Sequence, residues 1–247
     1  MTGLLALAAV GVVLVVAAGV TARRPAGAPL DLDAYFTRWS GLHGDYDPRT
    51  GSRWLRGWLT GVHAIALPLA RLGVLPDLVT LSSVWVAGVV VALAAVGGRW
   101  ALAAGAVLVL GGLLDNLDGC LAVLEDRTTR WGYVLDSVVD RVADALFLVA
   151  IAIVGCPVWL AVATGFGCFL LEYLRARAGN AGGDEVGRIT VGERPTRVIV
   201  LAAALLAAGA LPGHAAALAT LGAGVLLALT AVSLAQLTHA VRAQLAD

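Results

Sequence analysis

Long apolar runs separated by short polar interruptions dominate the chain. A helix needs about 17 to 25 apolar residues to cross about 30 Å of hydrocarbon. Seven runs of that kind occur, at residues 3–21, 78–97, 100–119, 133–155, 157–174, 197–212 and 213–236. The last two are parted only by Leu211, Pro212, Gly213 and His214, which read as a tight turn at one membrane face. The pattern predicts an all-α, polytopic membrane protein. The first run reads as an uncleaved anchor (residues 1–22), because Met1-Thr2-Gly3 lacks the positive start of a secretory signal and the arginines come after it. Residues 23–75 intervene before the remaining spans (76–240), and residues 241–247 form a tail. In the intervening stretch Trp39, Trp54 and Trp58 alternate with Arg38, Arg53 and Arg56. Such a mixture suits one or two helices lying in the cytoplasmic interface, with a small soluble cap over residues 29–50 as the alternative.

Composition supports the membrane assignment. Apolar residues make up 60% and charged residues 14%, with a mean hydropathy of +0.87, so there is too little polar surface to clothe a soluble domain. Formal net charge is zero, which argues against a nucleic-acid partner, since that needs a broad basic face. Charge placement is more informative. All 17 basic residues are arginine, and with the N-terminus outside only Arg99 falls on the outer side. Arg23, Arg24, Arg38, Arg49, Arg53, Arg56, Arg71, Arg127, Arg130, Arg175, Arg177, Arg188, Arg194, Arg197 and Arg242 all fall on the cytoplasmic side, as the positive-inside rule requires. Cys120, Cys156 and Cys168 lack metal-ligand spacing and read as small buried hydrophobes.

The stretch LLDNLDGCLAVLEDRTTRWGYVLDSVVDRVAD, residues 113–144, breaks the apolar pattern. Asp115 and Asp118 close the third span and Asp136, Asp140 and Asp144 open the fourth. Helical spacing puts Asp115, Asp118 and Ala122 on one face and Gly132, Asp136 and Asp140 on another, so two acidic stripes flank one hairpin. Four aspartates left unpaired at depth would cost on the order of 10 kcal/mol. One reading is a wet vestibule that solvates acidic helix ends. The other is an ion site, in which four carboxylates balance two divalent cations of the hard, oxygen-seeking kind, Mg²⁺ or Mn²⁺, able to clamp a diphosphate.

Asp115-x-x-Asp118-Gly119-x-x-Ala122, followed by Gly132-x-x-x-Asp136-x-x-x-Asp140, resembles the motif of the CDP-alcohol phosphotransferase family of membrane enzymes. That pattern is Asp-x-x-Asp-Gly-x-x-Ala-Arg, eight residues, then Gly-x-x-x-Asp-x-x-x-Asp. Every fixed position but one is met, and the spacer is right. Pro76-Asp77-Leu78-Val79-Thr80 is similar to the family's lead-in to its first core span, with Asp for Asn. The resemblance implies a six-helix core, to which the first span is an addition, and a homodimer. It implies that Asp115, Asp118, Asp136 and Asp140 hold two divalent ions, with Asp140 also the base for the acceptor hydroxyl. It further implies that Asp118, Gly119, Ala122 and Gly132 contact the nucleotide, glycine removing the side chain that would block its approach. The departure is Val123, where the family has arginine. Arg127 or Arg130 substitutes for it, or the donor binds weakly, or the activity is lost.

A second basic cluster lies in residues 172–200. Arg175, Arg177, Arg194 and Arg197 satisfy the positive-inside rule by themselves. Glu193-Arg194-x-x-Arg197 with Tyr173-x-Arg175 also resembles the bacterial phosphatidylinositol-phosphate synthases, which implies that Arg175, Arg194 and Arg197 receive a phosphorylated acceptor such as inositol phosphate, with glycerol phosphate as the nearest competitor. The activity so implied is transfer of a phosphatidyl group from CDP-diacylglycerol to a polar alcohol with release of CMP, at the cytoplasmic face of the cell membrane. Two other classes remain: a non-catalytic relative that binds without turnover, and a transporter using the aspartates as a relay, which their concentration at one face disfavours.

Overall fold

A computed structural model describes residues 28–182 and 190–245, together with residues 11, 13 and 16. The anchor expected over residues 1–22, with Arg23, Arg24 and Arg188, lies outside or almost wholly outside the described residues. Within them every regular element is helical: α1 Leu32–Leu42, α2 Arg53–Leu72, α3 Pro76–Val96, α4 Trp100–Leu124, α5 Arg130–Val154, α6 Val158–Asn180, α7 Arg194–Ala210 and α8 Ala215–Gln244. A single 3₁₀ turn, Pro212–His214, joins α7 to α8 where the tight turn was expected. Among the described residues four segments are long and apolar enough to cross a membrane, namely α3, α4, α6 and Pro212–Gln244. The expected spans at α5 and α7 are helices too. They stand apart for physical reasons: α5 carries Arg130, Asp136, Asp140, Arg141 and Asp144, and α7, at 17 residues, is about 26 Å long against about 30 Å of hydrocarbon.

The described residues form two compact units. The first holds those up to Trp85 together with Gly111–Asp140. Its apolar cluster joins Tyr35 and Phe36 of α1 and Leu59, Val62, Ala66 and Ala70 of α2 to Leu117, Leu121, Val123 and Leu124 of α4. The α2 residues recur at three- and four-residue intervals, so one stripe faces the cluster, while Trp54 and Ile65 are exposed. Helices therefore form where the sequence reading expected one or two at the membrane interface, and they pack on α4. Asp31 caps α1, accepting from the Ala34 amide at 2.8 Å. Gly73, in the left-handed conformation with φ 72°, closes α2.

The second unit holds Val86–Leu110 and the chain from Arg141 onward. Its core is Ala- and Leu-rich, including Ala104, Leu108, Phe147, Ile151, Leu201, Leu205 and Leu226. Small residues let its helices close up: a Cβ on Gly105 would meet Leu206 Cγ at 2.7 Å. The Thr164 hydroxyl bonds the Leu160 carbonyl at 2.8 Å and lies 3.2 Å from that of Ala223, which ties α6 to α8.

Candidate functional site

The aspartate site belongs to the first unit, where the second half of α4 and the first turns of α5 carry the acidic stripes. Asp115, Asp136 and Asp140 come together, each offering an oxygen, and the three oxygens lie within 4.8 Å of one another. Asp115 and Asp136 are half-buried and Asp140 is buried. Three hard oxygen donors this close suit a divalent cation such as Mg²⁺ or Mn²⁺. Asp118, expected to share that task, lies outside the trio: Oδ2 accepts from Thr80 Oγ1 of α3 at 2.5 Å and Oδ1 from the Gly119 amide at 2.6 Å, which leaves each oxygen a further lone pair. Asp118 is only 5% exposed.

A cavity of about 380 Å³ adjoins these groups, lined by Asp77, Thr80, Asp115, Asp118, Gly119, Ala122, Val123, Arg127, Gly132 and Asp136, with Tyr35, Trp39 and His43 of α1. All four residues expected to contact a nucleotide thus share one cavity. A Cβ on Gly119 would meet nothing within 4 Å, so the missing side chain leaves open space. At Gly132 it would meet Thr129 Oγ1 at 3.2 Å. The sequence reading overlooked three contributors. Thr80 enters that reading only as part of the lead-in, Trp39 only among the interfacial aromatics, and His43 has no role in it. The Trp39 and His43 rings stack at 3.9 Å, 9° from parallel, four residues apart on α1, a spacing that was available to read.

Arginines 175, 194 and 197 gather in the second unit as members of an ion-pair network. Arg197, 1% exposed, bonds the Gly192 carbonyl at 3.0 Å, Asp144 Oδ2 at 3.1 Å and Glu172 Oε1 at 2.5 Å. Arg175 forms a two-pronged bond to Glu193 at 3.0 and 2.7 Å, the parallel-fork geometry of guanidinium with carboxylate. Arg194 lies 3.8 Å from Asp144. Arg141 pairs with Asp144 at 3.7 Å and Glu172 at 3.4 Å. Burial raises the Glu193 carboxyl, and the bonds from Arg175 and from the amide and hydroxyl of Thr190 outweigh it, so the group ends below its ordinary value. Arg197 is accordingly a buried post for this network. Asp144 and Glu172 hold its guanidinium.

A sequence model of the CDP-alcohol phosphatidyltransferase family matches residues 73–236. The chain belongs to the CDP-alcohol phosphatidyltransferase family. An archaetidylinositol phosphate synthase of Pyrococcus horikoshii is 37% identical over 99 residues, 40% of this chain and 52% of that protein. A phosphatidylinositol phosphate synthase of Mycobacteroides abscessus is 33% identical over 190 residues, 72% of this chain and 82% of that protein. The chain thus matches about half the length of the first relative and most of the second. The phosphatidylinositol phosphate synthase of Mycobacterium tuberculosis, in its crystal structure with CDP-DAG bound, superposes with a TM-score of 0.58 at 26% identity, covering 73% of this chain and 93% of that one. Its structure with manganese and citrate gives 0.59 at 25% identity, covering 73% and 88%.

Proposed function

We propose that the chain transfers a phosphatidyl group from CDP-diacylglycerol to the hydroxyl of a polar alcohol, releasing CMP, at the cytoplasmic face of the cell membrane and as a homodimer. The acceptor is inositol phosphate, in keeping with the names of the relatives, and glycerol phosphate is its competitor. The observation that carries the reading is the trio Asp115, Asp136 and Asp140 beside a cavity whose Gly119 wall stands open. Asp115, Asp136 and Asp140, with Asp118 at the cavity wall, would hold two divalent ions, which when bound supply neutralising charge for a diphosphate.

The chain's own residues have separable tasks. Gly119, Ala122 and Gly132 let the nucleotide approach closely. Thr80 fixes the orientation of Asp118 through their 2.5 Å bond. Asp140 accepts the acceptor's proton as the acceptor oxygen bonds to the lipid-bearing phosphorus and the bond from that phosphorus to CMP breaks. Arg175 and Arg194, less deeply buried than Arg197, present charge to the acceptor phosphate, while Arg197 braces the network.

The test is release of CMP by purified protein given CDP-diacylglycerol and, in parallel, inositol phosphate, glycerol phosphate and serine. Asp140→Asn should abolish release with folding intact, and EDTA should do so reversibly. Turnover that survives either would overturn the mechanism. The Val123 departure favours a second reading, a relative that binds the donor without turning it over. Donor binding with no product from any acceptor would select it.

A further inference from the structure

Val123 is the one fixed motif position at which this chain leaves the family pattern, and it sits between an apolar cluster and the cavity. It is 6% exposed and packs in the apolar cluster with Tyr35, Phe36 and Leu59. A guanidinium held there without partners would pay heavily for lost hydration. The way α4 ends offers another route. The Asp126 amide donates to the Val123 carbonyl at 3.3 Å and the Arg127 amide to the Ala122 carbonyl at 2.8 Å. Asp126 between them is left-handed, with φ 53°. Together these are the two bonds and the reversed residue of a Schellman turn, which folds the chain back along the helix it ends. The turn stops the chain within about one helical turn of Ala122 and keeps Arg127 close to the end of α4.

Its side chain is also in the right place. Arg127 lines the cavity that holds Asp115, Asp118 and Gly119, whereas Arg130 does not. Glu125, its side chain fully buried, lies 2.6 Å from Arg127 Nη1 as its ion-pair partner. The turn is braced from the N-terminal segment, by the Arg38–Asp126 ion pair and by the Leu30 amide, which donates to the Leu124 carbonyl at 3.4 Å.

We propose that Arg127, delivered by the turn after α4, supplies the guanidinium that the family motif carries at the position of Val123 and grips the diphosphate of the nucleotide donor. The inference rests on the transferase reading above and names a binding residue for it. The probe is CDP, titrated calorimetrically into the full chain in detergent with Mn²⁺, alongside KM values for both substrates. Arg127→Gln should weaken CDP binding roughly 10- to 100-fold, the range for loss of a charged hydrogen-bond donor. It should raise KM for CDP-diacylglycerol by a similar factor and leave the KM of the acceptor and the affinity for Mn²⁺ alone unchanged. Arg127→Lys should fall between, since a lysine keeps charge and loses the planar fork. Arg130→Gln should bind CDP as the unaltered chain does. Should Arg127→Gln fold poorly, Arg127→Ala with millimolar ethylguanidinium replaces it, and recovery of CDP binding is the expected result. Unchanged CDP affinity in Arg127→Gln, or a loss that appears in Arg130→Gln instead, overturns the inference and leaves the transferase reading standing. Absence of CDP binding by the unaltered chain overturns both.

Discussion

Replacing Asp136 by Asn separates the cost of the acidic trio from its use. The carboxylate oxygens of Asp115, Asp136 and Asp140 lie within 4.8 Å of one another. At an effective dielectric of about 20, two unit charges at that distance repel by about 3.5 kcal/mol. Removing one charge of three deletes two of the three repulsions. Counter-ions and residual water reduce the gain, because Asp115 and Asp136 are only half-buried, so a net of about 1 kcal/mol is a fair expectation. For a chain of this size that is about 2 to 4 °C in melting temperature. Asp136→Asn in EDTA should therefore melt higher than the unaltered protein. With Mn²⁺ the order should reverse. An ion present at a hundred times its dissociation constant stabilises the folded state by about 2.7 kcal/mol, roughly 5 to 10 °C here, and the variant should forfeit most of that shift. Intrinsic tryptophan fluorescence during a thermal ramp, with and without Mn²⁺, reads both quantities. A metal-free variant that melts lower, together with an undiminished Mn²⁺ shift, would refute the assignment of these carboxylates to an ion.

Three further outcomes follow from other parts of the molecule. Gly119→Leu meets open space, so its melting temperature should hold or rise slightly, glycine being about 1 kcal/mol poorer than alanine within a helix, while KM for CDP-diacylglycerol rises about tenfold or more, equivalent to about 1.4 kcal/mol. Arg197→Met removes the nearest cation from Asp144 and Glu172 while Arg141 still pairs with both, so the cost should fall below the about 3 to 5 kcal/mol of a buried charge left wholly unpaired and the melting temperature should drop by roughly 5 °C, read by the same fluorescence ramp. Glu193 titrates below its ordinary value of 4.5, so its contribution is complete above that pH and is lost as pH falls through the lowered value. Glu193→Gln should flatten that acid limb of the stability profile, below the ordinary value of 4.5.

Local pattern made the helices legible, and non-local pairing hid much of the site. The spans at α3, α4, α6 and α8 announce themselves by apolar length, and the aspartate spacing alone put Asp136 and Asp140 on one face. What it left out was the partner of Asp118. Thr80 lies 38 residues away on another helix, and nothing in helical phase says which neighbour a given face will meet. Arg197 shows the same limit from the other side. Counting arginines by loop makes it a topology signal, whereas the fold buries it among Asp144, Glu172 and the Gly192 carbonyl. The turn after α4 was unreadable for a different reason: left-handed helix ends are usually announced by glycine, and here Asp126 takes that conformation, as aspartate occasionally does.

The segment before residue 73 and the substitution at Val123 meet in one cluster. The family match begins at residue 73, so α1 and α2 lie ahead of it, yet they pack on the side of α4 on which Val123 sits. Val123, with Tyr35 and Leu59, belongs to that apolar cluster and also borders the cavity, where valine contributes packing and no charge. The same segment contributes Leu30 and Arg38, which hold the residues of the Schellman turn, and Arg127, which follows that turn, lines the cavity. The packing of α1 and α2 on α4 thus supports the turn that presents arginine four residues later, with Glu125 beside it. Of these contacts the exposed Arg38–Asp126 pair contributes least, since solvent screens it. The apolar packing of α1 and α2 on α4 and the backbone bonds of the turn fix the arrangement.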